Sequence, residues 1–145
     1  MDLLERARAL AACALFAELA PAVVIRLAER ARASDLQAGE RRTTDNTVWV
    51  VVAGSLAVVA RDEAVLDATA SSMKRRGGVA TAGHVVGLVR IVAPATQVVE
   101  AIADRPSSVL ELAVDDVRDV LEEDPAALSA LAGALARLLV SESSP

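Results

Sequence analysis

The chain has 145 residues and a formal net charge of −5, so the length suits one domain and the charge argues against a nucleic-acid surface. One tryptophan and one phenylalanine are its whole aromatic complement, which leaves no platform for stacking bases. No apolar run reaches the roughly 18 residues of a membrane span, and the first residues show no signal-peptide pattern. We therefore expect a cytoplasmic protein without membrane insertion or a nucleic-acid partner.

Chemically reactive side chains are few. The single cysteine, Cys13, excludes an internal disulfide and suits a reducing compartment. His84 is the only histidine, so neither a histidine-rich metal site nor a well-supported Ser/His/Asp arrangement is expected. Fourteen of the fifteen basic residues are arginine and alanine is abundant, which indicates a GC-rich bacterial genome. We expect no catalytic residues, no metal and no cofactor.

Two helices are predicted before residue 32. The first runs from Asp2 to about Glu18, with Asp2 and Glu5 spaced as a capping box. The second begins at Pro21, because a proline costs no hydrogen bond at the first helical position.

From Ser34 the pattern changes to strands and turns. Thr47–Val52 is rich in β-branched residues, Gly54 marks a corner, and Ser55–Ala60 returns, which predicts a hairpin. Turn residues cluster on either side of these strands, at Ala38–Glu40, Thr43–Asn46 and Asp104–Ser108. Met73–Gly78 is predicted to be a hairpin tip or mobile loop, within the less readable segment Arg61–Gly78.

Two further strands and two helices complete the chain. The strands are predicted at Thr96–Ala103 and Val109–Ala113. A helix follows that Asp115 or Asp116 can cap. A terminal helix begins at Pro125 with Asp124 as its cap, and the tail from Ser141 is expected to fray.

The stretch Gly83–Ala101 resembles the phosphate-binding cassette of the cyclic-nucleotide-binding domain family, which reads roughly G-D-x-F-G-E-x-x-L and then P-R-x-A-T-V-x-A. Five residues fit that frame: Gly83, Gly87, Pro94, Val99 and Ala101. The resemblance implies an α+β, mainly β fold in a single domain spanning 1–145. An antiparallel β-roll of about eight strands would occupy about 34–113, with N-terminal helices at about 2–32 and two C-terminal helices at about 115–140.

The cassette departs from the family at the two positions that carry its chemistry. Leu88 stands where the family has the glutamate that holds the ribose hydroxyl, and Ala95 where it has the arginine that pairs with the cyclic phosphate. The segment between them is also shorter than in the family, so the anion-binding turn is expected to be incomplete. The resemblance makes five residues the degenerate ligand-binding set: Gly87, Leu88, Arg90, Ala95 and Thr96.

The resemblance implies a regulatory or protein-interaction module that has lost nucleotide binding and acts on an unknown protein partner or fused effector. One alternative is a cyclic AMP or cyclic GMP sensor that uses Arg90 or the basic triplet Lys74–Arg76 instead. Another is a sensor whose apolar site accepts a nonpolar small molecule. In this family the C-terminal helix often forms a homodimer, and four residues would make that interface here: Leu128, Leu131, Leu135 and Leu138.

Overall fold

A computed structural model describes residues 1–44, 46–62, 76–87 and 97–143 of the chain. The four helices of this part are α1 (Leu3–Ala11), α2 (Pro21–Arg30), α3 (Val114–Glu122) and α4 (Pro125–Ser143). Its eight strands are β1 (Arg32–Leu36), β2 (Arg41–Thr44), β3 (Thr47–Ala53), β4 (Ser55–Asp62), β5 (Arg76–Thr81), β6 (Val85–Val86), β7 (Gln97–Ala103) and β8 (Ser107–Ala113).

The strands form two four-stranded antiparallel sheets. The first sheet has the order β1-β8-β3-β6 and the second has the order β2-β7-β4-β5. Side chains from both sheets meet in one buried apolar cluster, so the two sheets stack face to face around a common interior. This arrangement confirms the predicted antiparallel β-roll of about eight strands with helices at both ends.

Strand β3 of the first sheet is buried on both faces. Val48 and Val50 of β3 point toward the helices, whereas Trp49 and Val51 point into the roll. All four are at most 1% exposed. A strand with two buried faces has no reason to alternate apolar and polar residues, which explains the continuous apolar run of β3.

We use the term roll interior for the inward-facing layer between the sheets. Its buried members from the first sheet are Leu36, Trp49, Val51, Val86 and Val109, and those from the second are Leu56, Ala80, Val99, Ala101 and Ala103, with Val58 packed against them partly buried. All of these side chains are apolar, and two charged residues, Arg42 and Glu111, stand opposite Ala101 and Trp49 on the same inward faces.

The helices pack on the outer face of the first sheet, where their apolar side chains form a second buried cluster with outward-facing residues of β3 and β8. The predicted caps of α1 and α4 are confirmed: Glu5 donates its backbone N–H to Asp2 Oδ1 at 2.8 Å. Asp124 Oδ1 accepts from the backbone N–H groups of Ala126 and Ala127 at 3.1 and 3.2 Å. The prediction that Asp115 or Asp116 caps α3 is wrong, because the N-cap residue is Ala113, two residues before Asp115, and no side chain caps the helix.

The prediction that β3 and β4 form a hairpin is wrong. β3 pairs with β6 and β8, whereas β4 pairs with β5 and β7 in the other sheet. Gly54 takes a φ of 95° and turns the chain from one sheet to the other. Serine 107 lies against this corner: Ser107 Oγ accepts from the backbone N–H of Ser55 at 3.0 Å and donates to the carbonyl of Arg105 at 2.8 Å.

Several element boundaries also differ from the predictions. The first helix ends at Ala11 rather than near Glu18, because three successive turns after it bury Cys13, Phe16 and Leu19. The roll starts at β1, two residues before the predicted Ser34. Four predicted loop, turn or tail segments are partly regular structure: Thr43–Thr44 ends β2, residues 76–78 open β5, Ser107–Ser108 open β8, and α4 continues through Ser143.

Candidate functional site

The described part of the cassette begins with a tight turn between β5 and β6. The backbone N–H of His84 donates to the carbonyl of Thr81 at 2.9 Å, and Gly83 between them has a φ of 89°. Such a left-handed φ at the third position of a turn favours glycine. Gly83 also donates to the carbonyl of Val51 at 2.8 Å, and Val51 donates to the carbonyl of His84 at 3.0 Å, so β3 holds the turn on both sides.

His84 has a structural role in this turn. Its Nδ1 accepts a hydrogen bond from the backbone N–H of Thr81 at 3.0 Å, so the ring proton must lie on Nε2 for this bond to form. The side chain is exposed and has no acidic partner among the hydrogen bonds and ion pairs of the described residues. This hydrogen bond closes the turn.

The second frame glycine, Gly87, has a φ of 86° immediately after β6. A left-handed φ of this kind favours glycine. The other four residues of the predicted ligand-binding set, Leu88, Arg90, Ala95 and Thr96, lie outside the described residues, as do Lys74 and Arg75 of the alternative basic triplet. Arg76, its third member, begins β5.

Strand β7 carries the last two frame residues. Val99 and Ala101 face the roll interior and are 5% and 0% exposed. Ala101 stands opposite Val58 of β4, which in turn stands opposite Gly78 of β5. Val58, Val99 and Ala101 thus contribute apolar side chains to the roll interior.

Arg42 of β2 closes one side of the roll with a cluster of polar contacts. Its guanidinium donates to Glu40 Oε2 at 2.7 Å, to Ser34 Oγ at 2.6 Å and to Glu111 Oε1 at 3.2 Å. The backbone N–H of Gln37, with Arg42, holds the pKa of Glu40 below its ordinary value. Arg42 is therefore committed to two carboxylates from different parts of the roll.

Trp49 lies against this polar cluster. Neither Trp49 nor the cluster was assigned to a site from the sequence. The Arg42 guanidinium lies 5.9 Å from the centroid of its ring, within the range of a cation–π contact. The indole is 1% exposed, and its Nε1 has no hydrogen-bond partner. Among the described residues it is the one buried side-chain nitrogen or oxygen left in that state. Nothing in the sequence signalled this, because a tryptophan in an apolar strand is simply expected to be core.

The predicted dimer interface on α4 is divided between core and surface. Leu131 and Leu135 are 3% and 5% exposed and belong to the cluster between the helices and the first sheet. Leu128 is 50% exposed. The side chain of Leu138 lies outside the described set. Two of the four leucines predicted to form an interface thus pack on their own chain, and Leu128 is exposed.

The described residues contain no cluster of histidine, cysteine, aspartate or glutamate that suits a metal ion. Among the helices of the same residues, none combines the length and apolar character needed to cross a bilayer.

No protein-family model and no curated protein sequence matches the chain. Solved structures do match. The sensor domain of the transcriptional regulator DNR from Pseudomonas aeruginosa aligns with a TM-score of 0.73 at 16% identity, covering 97% of this chain and 94% of that one. The Thermus thermophilus catabolite activator protein aligns with a TM-score of 0.67 at 19% identity over 89% of this chain and 59% of its own.

A cyclic nucleotide-binding-like protein from Brucella abortus aligns with a TM-score of 0.58 at 20% identity, covering 81% of this chain and 97% of that one. At these identities the likeness concerns the fold. The two stacked sheets, the entry helices and the exit helices are therefore those of the cyclic-nucleotide-binding domains, as the cassette resemblance implied.

Proposed function

We propose that the chain is a non-enzymatic regulatory domain with the cyclic-nucleotide-binding fold that no longer binds cyclic AMP or cyclic GMP. The observation that carries this proposal is the pair of substitutions in the cassette. Leu88 and Ala95 replace the carboxylate and the guanidinium that the family uses to hold the ribose and the cyclic phosphate. Neither side chain can form the charge-assisted hydrogen bonds of those two groups.

The described frame supports the register in which this comparison is made. Gly83 and Gly87 have left-handed φ angles of 89° and 86°, and the strand that follows places Val99 and Ala101 in the roll interior. Because Leu88 directly follows Gly87 in the sequence, the glycine fixes which residue takes the place of the glutamate.

The regulatory part of the proposal follows from the neighbours. One is a sensor domain of a transcriptional regulator and another is a catabolite activator protein. A domain of this kind acts by changing its contacts with an effector, so we expect a cytoplasmic protein partner or a fused effector. A second copy paired along α4 is a further expectation, with the exposed Leu128 at the contact.

Thermal unfolding tests the loss of nucleotide binding. A ligand with a micromolar dissociation constant, present at about 1 mM, stabilises the folded state by about 4 kcal/mol, which raises the melting temperature by several degrees. We expect no shift with cyclic AMP or cyclic GMP. A matched variant, Leu88→Glu with Ala95→Arg, tests whether only two side chains are missing. We expect no shift there either, because the segment between these positions is shorter than in the family. A shift in the wild type would overturn the proposal.

A further inference from the structure

We draw no further inference here: the strongest candidate, the outer face of the second sheet, where Val79 of β5 is 59% exposed, carries nothing because nothing in the described part of the structure shows what covers it.

Discussion

Gly54 offers a direct test of the crossover between the two sheets. An added Cβ at this position would lie 2.6 Å from the Ser107 Cα, which is backbone and has no freedom to rotate away. It would also overlap Ser107 Oγ, the atom that accepts the Ser55 N–H. Alanine here therefore combines an unfavourable φ of 95° with a backbone clash.

Gly39 supplies the matched control. Its φ of 84° is similar, but an added Cβ there would meet nothing within 4 Å. The left-handed conformation costs alanine about 1–2 kcal/mol, partly offset by about 0.4–1 kcal/mol from the less flexible unfolded chain. Overpacking adds about 1–3 kcal/mol at Gly54 alone. We expect Gly39→Ala to lose about 1 kcal/mol of unfolding free energy and Gly54→Ala about 2–4 kcal/mol.

Urea denaturation followed by the fluorescence of the single tryptophan measures both variants with the same probe. The difference between them isolates the close approach of Gly54 to Ser107, because the φ and unfolded-state effects are shared. Equal losses for Gly54→Ala and Gly39→Ala would refute the reasoning and show that the corner is looser than the contacts indicate.

Three further predictions concern α4 and the Arg42 cluster. Asp124→Ala should lower the unfolding free energy by about 1 kcal/mol in urea denaturation, because two backbone N–H groups lose their cap; an unchanged midpoint would contradict this. Leu128→Glu should keep the circular dichroism spectrum and convert any dimer into a monomer in sedimentation, since Leu128 is 50% exposed. Leu131→Glu should instead unfold the protein, because Leu131 is 3% exposed in the core. A wild type that is already monomeric would contradict the dimer proposal. Arg42 helps to lower the pKa of Glu40, so their pairing stabilises the folded state above the pKa that this carboxyl has in the unfolded chain, and the stabilisation is lost as the pH falls through its pKa in the folded state. Arg42→Met should therefore reduce the loss of unfolding free energy on acidification. An identical dependence of stability on pH in the variant and the wild type would contradict the pairing.

Local chemistry explains why much of the fold is predictable from the sequence. The helix α4 begins where an aspartate and a proline stand together, because each suits one position of a helix start. β3 is recognisable from Val48–Val52, since a short apolar run rich in β-branched residues suits a strand buried on both faces. The glycines at 54, 83 and 87 mark turns because each has a left-handed φ.

The errors arise where distant residues decide the outcome. A glycine corner between two strands looks the same locally whether the second strand pairs with the first or crosses to another sheet. Here β3 pairs with β6 and β8, whereas β4 pairs with β5 and β7, all of which come later in the chain. Likewise, the helical spacing continues beyond Ala11, but burial of Phe16 favours turns in place of a longer helix.

Part of the candidate site can be predicted from the sequence and part cannot. The cassette frame and its two substitutions are visible in the sequence, because they depend on residue identity at fixed spacing. The polar cluster of Arg42 and the unpaired indole of Trp49 are not, because Ser34, Glu40 and Glu111 come together only when β1, β2 and β8 meet.

Isothermal titration calorimetry of the purified chain with cyclic AMP, and separately with cyclic GMP, tests the central claim most directly. Losing one desolvated arginine–phosphate pair costs about 2–5 kcal/mol, which moves a micromolar dissociation constant to about millimolar or weaker. We therefore predict no heat of binding for either nucleotide at concentrations up to about 1 mM. A saturable isotherm with a dissociation constant in the micromolar range would contradict the account.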